Sequence, residues 1–333
     1  QLMSRVLEFE GNRHEFEKPM RIISEYDVPE DAWFFQQNSH PQWMPYSVLM
    51  EIALQPCGFI SANSGAMLIY PELDLHYRNL DGNGTLSKHI DLRGKTIQAE
   101  VELYSTVASG NTVIQKHRFL LKCEGLPFYE GDTVFGYFND EALENQTGLD
   151  GGKAKLPWLD ENTNHDMKVY RLNDSNSGLE SGKPHLKLAG NQLNLLDEVH
   201  LSPSVGSHGK GYAYGKRIVD PKDWFFPCHF HQDPVMPGSL GVEAILQALQ
   251  VFCLDQKLGD SFSNPRFRPS LSQTRWKYRG QIIPTTGMMQ LELHVSKIEK
   301  QYEQLMLVAD ASLWRDELRI YEVQNISLVI EEA

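Results

Sequence analysis

The chain has 333 residues, 41% hydrophobic and 23% charged, with a formal net charge of -13. That length holds two ordinary domains or one large pseudo-symmetric one, with a buried core in either case. The acidic balance disfavours a nucleic-acid binder, whose phosphate contacts need clustered Lys and Arg.

No apolar run reads as long enough, at about 18 residues, to span a membrane. Cys57, Cys123, Cys228 and Cys253 lie far apart without a C-x-x-C pair, which excludes a zinc ribbon and a disulfide framework and fits a reducing, cytoplasmic setting. The opening Gln1-Leu2-Met3-Ser4 shows no secretory signal and reads as the start of a piece of a longer polypeptide.

In chain order, Met20 to Val28 reads as a short strand. The segment Trp33-Phe34-Phe35-Gln36-Gln37-Asn38-Ser39-His40-Pro41-Gln42-Trp43-Met44-Pro45 then leads into an apolar helix over Ser47 to Ala62, which carries Glu51 and Gln55. Strands follow over Thr96 to Val107, Thr112 to Cys123 and Asp132 to Phe138, divided by turn signals such as Ser109-Gly110-Asn111. From Glu141 to Asn191, Gly, Asn, Asp and Lys dominate without periodicity, which predicts a connection packed across the surface.

The second half opens on the apolar patch Leu193 to Val199 and a strand over Lys210 to Val219. The segment Trp224-Phe225-Phe226-Pro227-Cys228-His229-Phe230-His231-Gln232-Asp233-Pro234-Val235-Met236-Pro237-Gly238 leads into a second apolar helix, Ser239 to Leu254, with Glu243 and Gln247. A serine near the start of each helix is placed to cap it. Strands over Met288 to Lys297, Gln304 to Arg315 and Leu318 to Ile330 complete the chain, with Glu299-Lys300-Gln301 as a turn signal.

The two motif segments share the Trp-Phe-Phe opening, the Met-Pro pair and a glutamate seven residues after that Met. With one gap between His40 and Met44, Asn38 matches His229, His40 matches His231, Tyr46 matches Gly238 and Glu51 matches Glu243. Arg93-Gly94-Lys95 likewise matches Arg279-Gly280-Gln281. The chain is a duplicated unit: 1–140 a degenerate first copy, 141–190 a linker, and 191–333 the copy with an intact histidine motif. Asparagine cannot act as a base near neutral pH, so only the second copy has one at this position.

The run from His229 through Asp233-Pro234-Val235-Met236-Pro237-Gly238, with an acid fourteen residues after the histidine, resembles the active-site signature of hotdog-fold 3-hydroxyacyl-acyl-carrier-protein dehydratases, nearest the dehydratase/isomerase branch. Glu243, in place of Asp, is what the plain dehydratase branch carries. Two such units with a degenerate first copy look like the double-hotdog dehydratase domains of polyunsaturated fatty acid synthases. The resemblance implies an α+β double hotdog, pseudo-dimeric, with two antiparallel sheets each wrapped around a long central helix.

It also implies a site that pairs a histidine from one unit with a carboxylate from the other, here His229 with Glu51, and Glu243 as the alternative acid. The activity implied is dehydration of 3-hydroxyacyl thioesters to 2-enoyl thioesters, with or without a shift of the double bond. No cofactor is implied; the substrate rides on the phosphopantetheine of an acyl carrier protein. Partners are that carrier and other synthase domains, with a homodimer left open.

Loss of water from a 3-hydroxyacyl thioester needs a base for the C2 proton, an acid for the hydroxyl, and a donor for the charge that develops on the thioester oxygen. Imidazole titrates close to neutral pH, which suits His229 to the base. Glu51 suits the acid. Gly238, at the positive end of the second helix, suits the oxyanion N–H. Gln55 and Gln247, one turn beyond each glutamate, could position water or substrate, and Cys228 reads as a substrate-lining residue rather than a nucleophile.

Arg266 and Arg268 open a basic stretch, running to Arg279 without an acid, that could receive the acidic carrier or its phosphate. His229, His231 and Asp233 could also be metal ligands, but the chemistry needs no metal. Two competing readings are a hotdog thioesterase, against which the histidine-to-glycine spacing argues, and a non-catalytic acyl-binding module.

Overall fold

The computed structural model describes residues 1–162, 165–173, 179, 182–301 and 303–333. The first half runs β1 (Arg5–Glu10), β2 (Met20–Asp27), a short helix α1 (Trp33–Gln37), the long helix α2 (Tyr46–Ser64), β3 (His76–Leu86), β4 (Thr96–Ser109), β5 (Thr112–Cys123) and β6 (Leu126–Phe138). The connection holds α3 (Asp140–Glu144), α4 (Trp158–Glu161) and β7 (Lys168–Arg171). The second half runs β8 (Glu198–Ser202), β9 (Tyr212–Ile218), α5 (Gly238–Asp255), β10 (Pro265–Pro269), β11 (Gln273–Tyr278), β12 (Met288–Gln301), β13 (Gln304–Arg315) and β14 (Leu318–Glu332).

Contacts divide the chain into two compact units, each an antiparallel sheet with one long helix. Relative to the linear halves, two short segments change sides. The first unit comprises Gln1–Ala32, Ser47–Gln146 and Leu271–Lys277; the second comprises Trp33–Tyr46, Thr147–Ser270 and Tyr278–Ala333. The first copy's motif loop therefore packs in the second unit, and most of β11 packs in the first.

In the first unit the strand order is β1-β2-β4-β5-β6-β3-β11. Along β5, buried and more exposed residues alternate without a break, the period expected of a strand with one covered face. Its inward side chains include Val113, Phe119 and Leu121. The strands β3 and β11 are not legible in the sequence because Asp81-Gly82-Asn83-Gly84 has turn composition. The glycines are there for space: a Cβ on Gly82 would run into the Trp276 ring, and one on Gly84 into Tyr129.

Tyr46–Ile69 has the length and mean hydropathy, 1.3, of a membrane-crossing helix, contrary to the expectation that no run is long enough. Its own unit accounts for that character. Met50, Ala53, Cys57 and Ile60 are fully buried, and Ser61 hydrogen-bonds into the sheet through His117 on β5.

In the second unit the order is β14-β13-β12-β9-β8-β7, with β10 paired to β14. The helix α5 packs on β9, β12 and β14 and is buried at nearly every position from Ser239 to Leu254. A surface helix would show one polar stripe; a helix apolar on all sides is a core helix. The strand β12 continues through Gln301, so the charged run 299–301 is strand end rather than turn.

The stretch from 150 to 158 of the connection is fastened by particular bonds to this sheet rather than by periodicity. Arg319 holds Asp150 through both guanidinium arms at 2.8 and 2.7 Å, and Trp314 Nε1 donates to the Lys155 carbonyl at 2.7 Å. Glu292, buried on β12, accepts from the Trp158 N–H at 2.6 Å and the Tyr212 hydroxyl at 3.0 Å. A bidentate Arg–carboxylate pair supplies directional attachment that a periodic pattern does not reveal.

Candidate active site

The second motif loop is anchored by Phe225 and Phe226, both buried, and by Trp224, whose indole N–H donates to the Gln192 carbonyl at 3.0 Å. His229 leaves this anchor half-buried, its backbone N–H donating to the Phe225 carbonyl at 3.1 Å. Its Nδ1 lies 2.9 Å from the Val235 carbonyl oxygen. A carbonyl can only accept, so Nδ1 carries the proton in this bond and the lone pair of the neutral ring sits on Nε2. The ring packs on Phe230, with centroids 4.2 Å apart.

Gln232 takes the left-handed conformation, φ 56°, which turns the chain back toward Val235. The Met236 N–H then donates to the Ile282 carbonyl at 2.9 Å, tying the Pro-rich run to the segment after β11. Pro237 is the N-cap of α5 and Gly238 its first residue, so no serine side chain caps this helix, contrary to the sequence expectation. In the first turn the Leu240 N–H donates to the Pro237 carbonyl at 3.1 Å, and the Pro237 side chain adds no cap bond. Backbone donors at the positive end of a long helix are suited to a developing oxyanion.

Glu243 lies one and a half turns into α5 and is buried, 7% exposed. Gln247, the next turn along, serves the scaffold: Oε1 accepts from the Leu195 N–H at 2.9 Å and Nε2 donates to Asn194 Oδ1 at 3.1 Å. Its counterpart Gln55, on α2, accepts from the Leu2 N–H at 2.7 Å. Gln247 thus fastens a loop and Gln55 the amino-terminal segment. Glu51 stands on α2 in the first unit, half-buried. Cys228 is exposed, its thiol 3.0 Å from the Trp224 carbonyl. Burial pushes the Cys57 and Cys253 thiols up, which removes them as nucleophiles.

The degenerate copy explains its own asparagine. Asn38 Nδ2 donates to the Trp43 carbonyl at 2.7 Å, and Trp43 is the residue that matches Val235. Asparagine thus reproduces the bond that histidine makes through Nδ1 and lacks only the second nitrogen. The Ser39 N–H donates to Asn38 Oδ1 at 2.8 Å, so the amide orientation follows from its partners. Sequence reasoning finds the asparagine opposite the histidine but not the carbonyl that both side chains serve, because a backbone acceptor leaves no mark on composition.

The basic stretch is not the surface patch that composition suggests. Arg268 is 6% exposed and bonded to Glu331 and to Gln304, while Arg266 donates to Glu331 at 3.1 Å and Gln42 at 2.8 Å and lies 5.4 Å above the Trp43 ring. Their charges are held by Glu331 on β14, 63 and 65 residues away in sequence, where a local charge count cannot find it. Arg275 and Lys277 remain as the exposed cations of the run.

Residues 188–324 match the FabA-like domain family. Over 320 residues the chain is 37% identical to one subunit of a polyunsaturated fatty acid synthase from a Thraustochytrium species; the match covers 93% of this chain and 21% of that protein, so the chain spans about a fifth of its relative. Among solved structures, the CurK dehydratase superposes with a TM-score of 0.51 at 11% identity, covering 100% of this chain and 99% of that one. The CurJ dehydratase gives 0.50 at 10% identity, covering 98% and 96%. A 12:0-ACP thioesterase from Umbellularia californica gives 0.50 at 10% identity, covering 92% and 93%. At such identities the likeness is one of fold, which hosts more than one reaction. The fold, the histidine loop and the family match agree: residues 188–324 are similar to the FabA-like domains, within a chain whose likeness to solved dehydratases and thioesterases is one of fold.

Proposed function

We propose that this chain is a dehydratase, a hydro-lyase that removes water from 3-hydroxyacyl thioesters in fatty acid synthesis. The observation that carries the proposal is the bond of His229 to the Val235 carbonyl: Nδ1 lies 2.9 Å from an oxygen that can only accept, so in the neutral ring Nδ1 holds the proton and Nε2 carries the basic lone pair. A base with a fixed ring, followed nine residues later by the first turn of a core helix, suits proton removal next to a thioester whose oxygen gathers charge. Nε2 takes the C2 proton, the N–H of Gly238 receives the oxyanion, and a carboxylic acid protonates the departing hydroxyl. The family resemblance assigns that acid to Glu51, with Glu243 as the alternative. The reaction consumes no oxidant or reductant, so acid–base groups are enough.

The substrate is proposed to arrive on the phosphopantetheine of an acyl carrier protein, beside further synthase domains, in keeping with the much longer synthase relative. Movement of the double bond after dehydration uses the same base and belongs to the same proposal. The test is direct: incubate the protein with a 3-hydroxyacyl thioester and follow its mass. Loss of one water supports the reading. Release of the free acid would establish the thioesterase alternative, and an unchanged substrate the binding-module alternative.

A further inference from the structure

Gly238 is not a glycine for the sake of its dihedral angles, since it is absent from the positive-φ residues and lies in the first turn of α5. What forbids a side chain is the Tyr278 ring: a Cβ on Gly238 would lie 2.6 Å from Cε2, 3.0 Å from Cζ and 3.1 Å from Cδ2. One turn on, Gly241 repeats the relation, with its Cβ position 2.6 Å from Cε2 of Tyr321. The two rings pack on each other with centroids 4.3 Å apart at 43°, and both are buried, 4% and 2% exposed.

In the degenerate copy the bulk is redistributed. The helix positions are Tyr46 and Leu49, and the position matching Tyr278, the residue before Arg-Gly, is Leu92. An aromatic ring stands on the helix in one copy and comes from beside the helix in the other.

The difference matters because helical Cα–Cβ bonds tilt toward the amino terminus. A side chain on the first residue of α5 leans over the donors that point out of that end. A ring supplied by β11 fills the same notch from the side and leaves the end uncovered.

We propose that Tyr278 is a positioning residue: its ring, seated in the notch of Gly238, fixes the first turn of α5 so that the backbone N–H meets the thioester oxygen. This rests on the dehydratase reading above. The role proposed belongs to the ring, which Tyr278→Phe retains, so that variant keeps wild-type turnover. Tyr278→Leu lowers kcat by about tenfold to a hundredfold, the cost of a misplacement of about 1 Å. KM and the pH profile stay as in the wild type, because binding of the acyl chain and titration of the base are untouched. Gly238→Ala loses turnover through the same notch, so the double variant Gly238→Ala with Tyr278→Leu is no slower than Gly238→Ala alone.

Hydrogen exchange at the amides of residues 238 to 241 accelerates in Tyr278→Leu while circular dichroism is unchanged; this readout does not depend on which reaction the protein performs. Inactivity of the wild type on 3-hydroxyacyl thioesters would overturn the dehydratase reading and leave the exchange result to decide the packing role. Three results overturn the Tyr278 inference itself: losses that multiply in the double variant, Tyr278→Phe as slow as Tyr278→Leu, or unchanged amide exchange.

Discussion

Replacing His229 by asparagine separates what this residue does for folding from what it does for catalysis. The protein already contains the result of that substitution at the matching position, where Asn38 Nδ2 reaches the Trp43 carbonyl at 2.7 Å as His229 Nδ1 reaches Val235 at 2.9 Å. His229→Asn keeps a donor on the buried Val235 carbonyl, so its stability should stay within about 1 kcal/mol of wild type, the net worth of one hydrogen bond. His229→Ala leaves that carbonyl without its donor and should cost about 1–3 kcal/mol.

Both variants lack Nε2, and removal of a general base slows the reaction by about 10²- to 10⁴-fold, or about 2.7–5.4 kcal/mol of barrier at 1.36 per decade. Urea unfolding measures the first quantity; conversion of a 3-hydroxyacyl thioester to its enoyl product, read by mass, measures the second. The expected pattern is two equally inactive variants of unequal stability. More than a tenth of wild-type turnover in His229→Asn would remove the histidine from the mechanism. Equal destabilisation of the two variants would show that the bond to Val235 does not matter.

Glu51→Gln is expected to slow dehydration on the order of a hundredfold, with Glu243→Gln costing far less, and the reverse order in the same assay would make Glu243 the acid. Arg268→Glu replaces a buried guanidinium with a carboxylate facing half-buried Glu331 and should cost about 3–5 kcal/mol on urea unfolding. Its turnover should fall alike on carrier-bound and carrier-free thioesters. A salt-sensitive loss confined to the carrier-bound substrate would instead return Arg268 to carrier recognition. His117, fully buried on β5, has its pKa lowered by burial from 6.5 to about 3. The unfolded chain therefore binds a proton that the folded one refuses, and stability, complete above pH 6.5, falls as pH drops toward 3. His117→Leu should flatten that part of the pH dependence of urea unfolding; parallel profiles would show that His117 is protonated in place.

Much of the site is legible in the sequence because it is local. His229, Gly238 and Glu243 lie within fifteen residues, and their spacing survives any change elsewhere in the chain. The helices and the strands β4, β5, β12 and β13 are legible too, because each buries one face or all faces of a regular element, which imposes a period of 2 or a continuous apolar run. Alignment of the two copies is enough by itself to set Asn38 opposite His229.

Tertiary structure decides what depends on partners distant in sequence. Composition makes Arg266 and Arg268 a surface patch, yet both pair with Glu331 on a neighbouring strand. Spacing makes Gln247 a substrate ligand, yet the backbone of Leu195 takes its amide. The glycines of β3 have the composition of a turn, while the rings of Trp276 and Tyr129 need their space inside a sheet. The same holds at the start of α5. Its glycine is visible in the sequence, but the ring that requires it comes from a strand forty residues later, and only packing joins the two.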